Sequence, residues 1–581
     1  MKKQLSIGIQ GFDKLRTEDY YYIDKSDFIS EWWENGDDVT LITRPRRFGK
    51  TLNMDMVRCF FSNHYKDRGD LFEGLSIWKD EKYRKLQGAY PVIFLSFAGI
   101  KETTLSGAKF QIKTLISRLY QENHYLTDSD LLSNTEKKSF ENITPYMEDS
   151  ETTFALNTLC MYLTRYYNQK VIILLDEYDT PMQEAYMGGY WDEFTSFIRS
   201  LFNSTFKTNP YLERAIMTGI TRVSKDMSYP CQGYDLRPHQ RASSFESIFS
   251  DLNNLNVVTT TSEQYATCFG FTETEVFQAL DDFGLSPEQQ MVKQWYDGFI
   301  FGSQKDIYNP WSITNFLKHR KLRPYWASTS SNQLVSRLIR TASSRIKEQM
   351  EELLLGNEIS VTFDEQIVFH QLDQNENAIW SLLMAAGYLK PEDLEYRGLL
   401  LQPWYHLKIT NLETTAMFSE MFTGWFQGNH SSYNDFIRAL LQGSIKQMNL
   451  YMNDVALDTF STFDTGSRPS ARTQPERFYH GFVLGLLVDL REEYLLKSNR
   501  ESGFGRYDVM LIPKDRTRPA IVMEFKVFDG DEEQDLKDTV QAALKQIEEK
   551  QYDTELLALG IPKDHIRHYG FAFEGKKVLI G

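Results

Sequence analysis

Hydrophobic positions along the chain fall into two rhythms, and their alternation predicts the architecture. Four short runs are continuously apolar or β-branched: Val39-Thr-Leu-Ile-Thr43, Pro91-Val-Ile-Phe-Leu-Ser-Phe97, Val171-Ile-Ile-Leu-Leu175 and Ala215-Ile-Met-Thr-Gly-Ile220. Runs of that kind predict strands of a parallel sheet covered on both faces. Leu52-Asn-Met-Asp-Met-Val-Arg-Cys-Phe-Phe61 repeats its apolar residues at helical spacing, so a helix should follow the first strand. From Glu263 to about Leu389 the pattern is helical, cut into short helices by Gly298 and Pro310. Leu399 to about Asn411 predicts a short strand pair. From about Leu412 to Pro469 helices and a connector follow, ending in the polar run Asp464 to Ser470. In the last hundred residues a glycine-bearing turn leads Asp508 into the strand ending at Ile512. Ala520 to Val527 is a further strand, and helices are predicted over Phe478–Leu487 and Ala542–Ile547.

Composition narrows the class. The 581 residues carry a formal charge of −16, with 41% hydrophobic and 14% aromatic content, which leaves room for several domains. An acidic balance argues against a nucleic-acid coat protein while permitting a local basic groove. Cys59, Cys160, Cys231 and Cys268 lack metal-knuckle or disulfide-framework spacing, as suits a reducing cytoplasm. The N-terminal apolar run is too short for a signal peptide, and none approaches the roughly 20 residues that span a bilayer. The expectation is a cytoplasmic protein with no membrane partner. Low-complexity tracts and internal repeats are absent.

The first chemistry lies between the first strand and its helix. Gly49-Lys50-Thr51 supplies the end of a G-x-x-x-x-G-K-S/T phosphate loop, with Arg44 where the first glycine is expected. Main-chain N–H groups at a helix N-terminus cradle phosphates, Lys50 offers charge to the terminal phosphates, and the Thr51 hydroxyl can ligate magnesium. Arg46, Arg47, Phe48, Gly49, Lys50 and Thr51 form the candidate nucleotide-contacting stretch. Asp176 and Glu177 follow the apolar strand at its carboxyl end, where open α/β sheets bind ligands. Asp176 is the candidate magnesium holder and Glu177 the group that polarises the attacking water. Thr218 ends another strand, where it can sense a γ-phosphate. Arg222 can bring positive charge, in cis or to a neighbouring subunit; both residues fit structural roles equally well.

The second chemistry is near the C-terminus. Glu524 and Lys526 share one face of a strand, while Phe525 points to the other. An antiparallel neighbour carrying Asp508 would add a second carboxylate. Asp508 and Glu524, helped by the Phe525 carbonyl, suit a hard cation such as magnesium in a phosphodiester hydrolase, and Lys526 would position water or neutralise charge. Glu476 could join the metal shell, and Gln546 could orient water or phosphate. His480 fits packing better than catalysis. Arg477, Lys497, Arg500, Arg506 and Lys514 suit a phosphate-binding groove or ordinary surface charge.

Particular words connect these sites to known families. Ile7-Gly-Ile-Gln-Gly-Phe-Asp-Lys-Leu-Arg16, Tyr22-Ile-Asp-Lys25, Arg44-Pro-Arg-Arg-Phe-Gly-Lys-Thr51, Leu175-Asp-Glu-Tyr-Asp-Thr-Pro181 and Thr218-Gly-Ile-Thr-Arg222 resemble the bacterial AAA-ATPase-like family. Its normal phosphate loop is arginine-rich, so Arg44 is no sign of a dead site. Tyr479-His-Gly-Phe, Gly505-Arg-Tyr-Asp508, Met523-Glu-Phe-Lys526 and Tyr569-Gly-Phe-Ala-Phe-Glu-Gly-Lys576 resemble the PD-(D/E)XK nuclease-like domain that follows such modules. One departure is an insert at about 226–245, expected as a surface loop. The resemblance implies an α/β chain: a P-loop domain over 1–262, a helical lid over 263–395, a connector over 396–470 and a restriction-endonuclease-like domain over 471–581. It also implies ATP and magnesium as cofactors, DNA as partner, homo-oligomers where Arg222 acts in trans, and a role in defence or mobile-element biology. The resulting expectation is an ATP-hydrolysing, magnesium-dependent DNA nuclease. The alternative is a nucleotide-gated protein whose nuclease-like domain binds without cutting.

Overall fold

The computed structural model describes residues 4–221, 249, 252–327, 333–354, 356–362, 376–398, 401–425, 432–459, 483, 487, 490, 493–502, 505–530, 533–574 and 577–581. They form two compact units, Met1–Val335 with Ser360–Thr414, and Ser336–Ile359 with Thr415–Gly581. The expected insert at about 226–245 lies outside the described residues.

The first unit is built on a parallel sheet of β1 (Val39–Thr43), β2 (Val92–Ser96), β3 (Val171–Asp176), β4 (Leu212–Gly219) and β5 (Leu255–Val258), in the order β2-β3-β4-β1-β5. Every residue of β1 and β3 is buried, as continuous apolar strands require when helices cover both faces. From β1 the chain crosses to the far edge, then returns through β3 and β4, and places β5 on the other side of β1. Open α/β sheets bind ligands at the carboxyl ends of strands where the order reverses in this way. Helices α1 (Lys50–Phe61), α2 (Leu105–Glu122), α3 (Asp149–Tyr167) and α4 (Thr180–Gly188) belong to this unit. Phe28, Trp32, Phe60 and Phe61 pack with Ile42, Ile172, Leu174 and Ile216 in its core.

The middle region departs from a purely helical expectation. Phe271–Thr272, Phe299–Phe301 and Gln304–Tyr308 form a small antiparallel sheet. The Phe-Ile-Phe run is too short for a helix, and Gly302, at φ 56°, turns the chain back on itself. The strand pair expected over 399–411 is also corrected. It is a hairpin of Leu389–Arg397 with Gln402–Ile409, so its first strand begins where the helical pattern ends and lies before Leu399.

Helix α5 (Pro310–His319) starts from a strong local signal. Asn309 Oδ1 accepts from Trp311 N at 2.9 Å and Ser312 N at 3.3 Å, and Pro310 occupies the first turn, where its missing N–H costs nothing. Fully buried Glu413 completes this region. Its carboxylate accepts from Ser312 Oγ at 2.8 Å and from Tyr325 N and Trp326 N, each at 2.6 Å.

In the second unit, β6 (Tyr494–Ser502), β7 (Gly505–Pro513), β8 (Ala520–Val527), β9 (Ile566–Glu574) and β10 (Lys577–Ile580) form one sheet in sequence order. Only β8 and β9 pair in parallel. Alternate residues divide its two faces. Val509, Leu511, Ile521, Met523 and Phe525 pack with α6 (Ser432–Gln442) and α7 (Ile445–Thr459). Met510, Ile512, Ala520 and Val522 pack on the opposite side with Ile547 of α8 (Leu536–Glu549). Edge strand β10 is protected by α7: Asn449 and Asn453 each exchange two hydrogen bonds with its main chain, through Ile580 and Val578.

Burial raises the Glu413 carboxyl from 4.5 to about 7, against the opposing pull of Ser312 and the main-chain donors. Between those values the folded chain holds a proton that the unfolded chain has released. The contribution of Glu413 to stability is therefore fully present below about pH 4.5 and falls by about 1 kcal/mol per pH unit as pH rises towards 7. Glu413→Gln should flatten that dependence in denaturant titrations followed by tryptophan fluorescence, even though it lowers stability overall.

Candidate functional site

The phosphate loop turns at positions other than the one its pattern suggests. Arg47 at φ 66° and Gly49 at φ 83° are left-handed, whereas Arg44 is not, so position 44 has no conformational need for glycine. Arg44 is instead a buried clasp, 0% exposed. Its guanidinium donates to Thr43 O at 2.9 Å, Thr259 O at 2.6 Å and Gln264 O at 3.2 Å, and lies 4.7 Å from the Phe301 ring centre. Burial pulls its pKa down to about 10. A buried charge costs several kcal/mol unless its donors are met. Here carbonyls of the segment after β5 accept from both terminal nitrogens, although Nε has no acceptor among the described residues, and so tie that segment to the loop.

The remaining loop residues gather at the end of the sheet. Lys50 is nearly closed off, with its side chain 2% exposed, and donates to Arg44 O at 3.0 Å and Pro45 O at 3.1 Å. Its ammonium lies 3.4 Å from Glu177 Oε1. Thr51 Oγ1 donates to Asp176 Oδ2 at 2.8 Å, and Thr218 Oγ1 donates to Asp176 Oδ1 at 2.6 Å. Burial, then the charge of Glu177, pushes the Asp176 carboxyl above its ordinary range, while the two hydroxyls and Lys50 oppose the rise. Glu177 stands at φ 53°, with its N–H 3.3 Å from Thr218 Oγ1. A hydroxyl beside a carboxylate is a hard-oxygen donor set, the kind magnesium takes. Arg46 Nη2 donates to Gln183 Oε1 at 3.3 Å, and Arg47 lies 4.4 Å from the Trp311 ring centre. The Phe48 ring is 1% exposed and packs on Phe299 at 4.7 Å and Phe301 at 5.3 Å, so it anchors the loop. Arg222 lies outside the described residues.

A cavity of about 540 Å³ opens beside the loop. Its lining combines Arg46 to Asn53, Glu177, Thr180 and Gln183 with Ile7, Tyr21, Phe271, Trp311 and Leu317. Charged residues together with apolar and aromatic ones suit the phosphates and base of a nucleotide, and the volume lies in the usual ligand range.

The second unit holds the other constellation. The pairing of Val509 with Met523 continues to set Asp508 across from Glu524. Both belong to the alternate set that includes Met510 and Val522, the α8 side of the sheet, as does Lys526. Phe525 N donates to Asp508 Oδ2 at 2.8 Å, and the Phe525 ring is buried 5.0 Å from Phe571. Gln546 Nε2 donates to Glu524 Oε1 and, at 3.1 Å, to Tyr552 OH. Glu524 is 2% exposed. Burial raises the Asp508 carboxyl to about 6, opposed by the Phe525 N–H and by the charge of Lys526. Two carboxylates so placed again offer hard oxygens to a divalent cation. Glu476, Arg477 and His480 lie outside the described residues.

Sequence reading missed several residues that build these sites. Asp179, fully buried, accepts from Ile220 N, Thr221 N and Thr221 Oγ1 at 2.8–2.9 Å, fastening the loop after β3 to the end of β4. Gly570 pairs with Glu524 across β8 and β9, and a Cβ there would stand 2.8 Å from Val540 O, so only glycine lets α8 bring Gln546 this close. The Asn309-Pro310 cap was a readable signal. Nothing local marked Gly570 or Tyr552.

Residues 6–227 match the family described as "Predicted AAA-ATPase", and residues 474–581 match the PD-(D/E)XK nuclease superfamily. The chain carries an AAA-ATPase-like domain followed by a PD-(D/E)XK nuclease superfamily domain, families that point to nucleotide binding and nuclease activity. It is also similar to an uncharacterized protein in the vnfD 5′ region of Azotobacter chroococcum mcd 1. The two are 26% identical over 426 residues, which cover 72% of this chain and 70% of the relative. No helix among the described residues is long and apolar enough to cross a membrane.

Arg44→Ala should leave several buried carbonyls without their donor. The expected cost is about 2 kcal/mol, seen as a lower melting temperature of the purified chain. Arg44→Lys, with one donor centre in place of a fork, should recover only part of it.

Proposed function

We propose that this chain binds and hydrolyses ATP through its first unit and cuts DNA with magnesium through its second, in the cytoplasm. The observation that carries the reading is the convergence of Asp508, Glu524 and Gln546, from two strands and a helix, on the strand face that also carries Lys526. That cluster combines metal-holding carboxylates, a cation and an amide, the parts phosphodiester hydrolysis uses. Asp508 and Glu524 would hold magnesium with the Phe525 carbonyl, and Thr51 and Asp176 would hold it beside the nucleotide. Magnesium supplies charge neutralisation on phosphate and, at the nuclease site, acidifies a bound water.

In the first unit, the Lys50 ammonium already spends its donors on Arg44 O, Pro45 O and Glu177. A triphosphate seated in the cavity competes for Lys50 and so releases the Glu177 carboxylate to accept a proton from water. The water oxygen bonds to the γ-phosphorus, the bond from phosphorus to the β–γ bridging oxygen breaks, and ADP leaves with that electron pair. Thr218, fully buried and bound to Asp176, would register the γ-phosphate through that carboxylate. In the second unit, Lys526 and Gln546 orient the water or scissile phosphate while a P–O bond breaks. The setting implied by the pairing of domains is defence against foreign DNA or mobile-element biology.

Cleavage of plasmid and single-stranded DNA, measured with and without ATP and magnesium, tests the reading. Glu524→Ala and Lys526→Ala should each lower cleavage by about 10²–10⁴-fold while leaving ATP turnover intact. Intact DNA under every metal and nucleotide condition would favour a nucleotide-gated binding protein. Lys50→Ala should abolish turnover and weaken nucleotide binding; unchanged binding would remove the phosphate-loop assignment.

A further inference from the structure

The three arginines of the phosphate loop have separate fates. Arg44 is buried and committed to carbonyls behind the loop. Arg47 is exposed and lies against Trp311. Arg46 is half-buried and lines the cavity, and its guanidinium reaches Gln183 on α4, the helix that opens directly after Glu177 and Asp179. Its main chain is held as well: Asn309, 0% exposed and capping α5, donates from Nδ2 to Arg46 O at 3.2 Å. Arg46 is thus fixed at its backbone by one element and at its side chain by another, on the same cavity wall as Lys50, Thr51 and Glu177.

Other cations near the cavity are differently placed. Lys25 is bound to both oxygens of Glu275 and to Thr267 O, and Lys101 is exposed on the loop after β2. Lys50 and a divalent cation leave net negative charge on a bound triphosphate, and more of it gathers on the γ-oxygens and the bridging oxygen as that bond breaks. A guanidinium fork that spends one N–H on Gln183 keeps the others for phosphate oxygens.

The geometry points to Arg46 as the cation that stabilises the transition state of ATP hydrolysis within a single chain, with Gln183 as its positioning residue. This rests on the ATP-hydrolysing reading and makes a second copy unnecessary for turnover. Gln183 acts through Arg46: its carbonyl holds the fork towards the side of the cavity where Glu177 would take its proton.

The test uses the full chain with ADP, with ADP plus magnesium and aluminium fluoride as a mimic of the transferring phosphoryl group, and with ATP. Arg46→Ala should bind ADP nearly as the wild type does, yet lose turnover and tight binding of the aluminium fluoride complex by about 10³-fold. Added guanidinium ion should restore part of the rate to Arg46→Ala and none to Lys50→Ala. Gln183→Leu should lower kcat by about tenfold with little change in KM or melting temperature. The inference is overturned if Arg46→Ala binds the aluminium fluoride complex as the wild type does. It is also overturned if mixing Arg46→Ala with Lys50→Ala chains recovers turnover, since the arginine would then act between copies. A wild type that binds no nucleotide would remove the ATPase reading and this inference together, a result visible before any variant is compared.

Discussion

The Asp176 carboxylate is the junction on which the first unit depends. One oxygen accepts from Thr51 at the start of α1 and the other from Thr218 at the end of β4, so a single buried acid ties together the ends of three neighbouring elements. Parallel pairing alone would not do this. The registers that set Ile42 beside Thr218, and Leu175 beside Met217, align the strand ends but leave the loops beyond them free. A fully buried carboxylate would cost several kcal/mol without partners. Two hydroxyl donors and the nearby Lys50 cation offset that cost, and both hydroxyls keep lone pairs for a further ligand. The stabilising network and the candidate cation site are therefore the same atoms, which makes the site rigid before anything binds.

Much of this was legible because burial on both sheet faces leaves an unbroken apolar run, and because Gly49-Lys50-Thr51 and Asp176-Glu177 stand at the ends of such runs. What escaped reading depended on contacts far apart in sequence. Arg44 occupies a glycine position because the loop bends at Arg47 and Gly49, a fact fixed by carbonyls about 215 residues away. Phe48 belongs with the phosphate loop by position and with Phe299 and Phe301 by packing. The middle strands were read as helix because segments of two to five residues carry too little periodicity to separate the two. In the second unit the strand carrying Glu524 and Lys526 was plain, whereas the close approach of α8 depends on Gly570, which only the parallel pairing of β8 with β9 brings beside Glu524.

The two sites solve the same problem with different sheets. Each places an acid at or near the end of a buried strand, sets a second acid beside it, and uses a helix to supply the neutral partner: the Thr51 hydroxyl of α1 in one, the Gln546 amide of α8 in the other. Neutral partners matter here. A charged partner at both acids would saturate them, as Glu275 saturates Lys25. A hydroxyl or amide orients a carboxylate while leaving its charge to attract a cation.

That balance also explains why burial does not disable either centre. Asp176 and Asp508 are both raised above the ordinary carboxyl range chiefly by desolvation, so without a cation each binds a proton more readily than an exposed acid does. A divalent ion would replace that proton and collect more Coulombic energy in the low-dielectric site than it would at the surface. The same desolvation thus disfavours the bare carboxylate and favours the cation-bound one. Lys526 and Lys50 stand close enough to lower their neighbouring acids' pKa values without cancelling the rise. The cations do not neutralise the acids, which is the condition under which one pocket could hold both a metal and an anion.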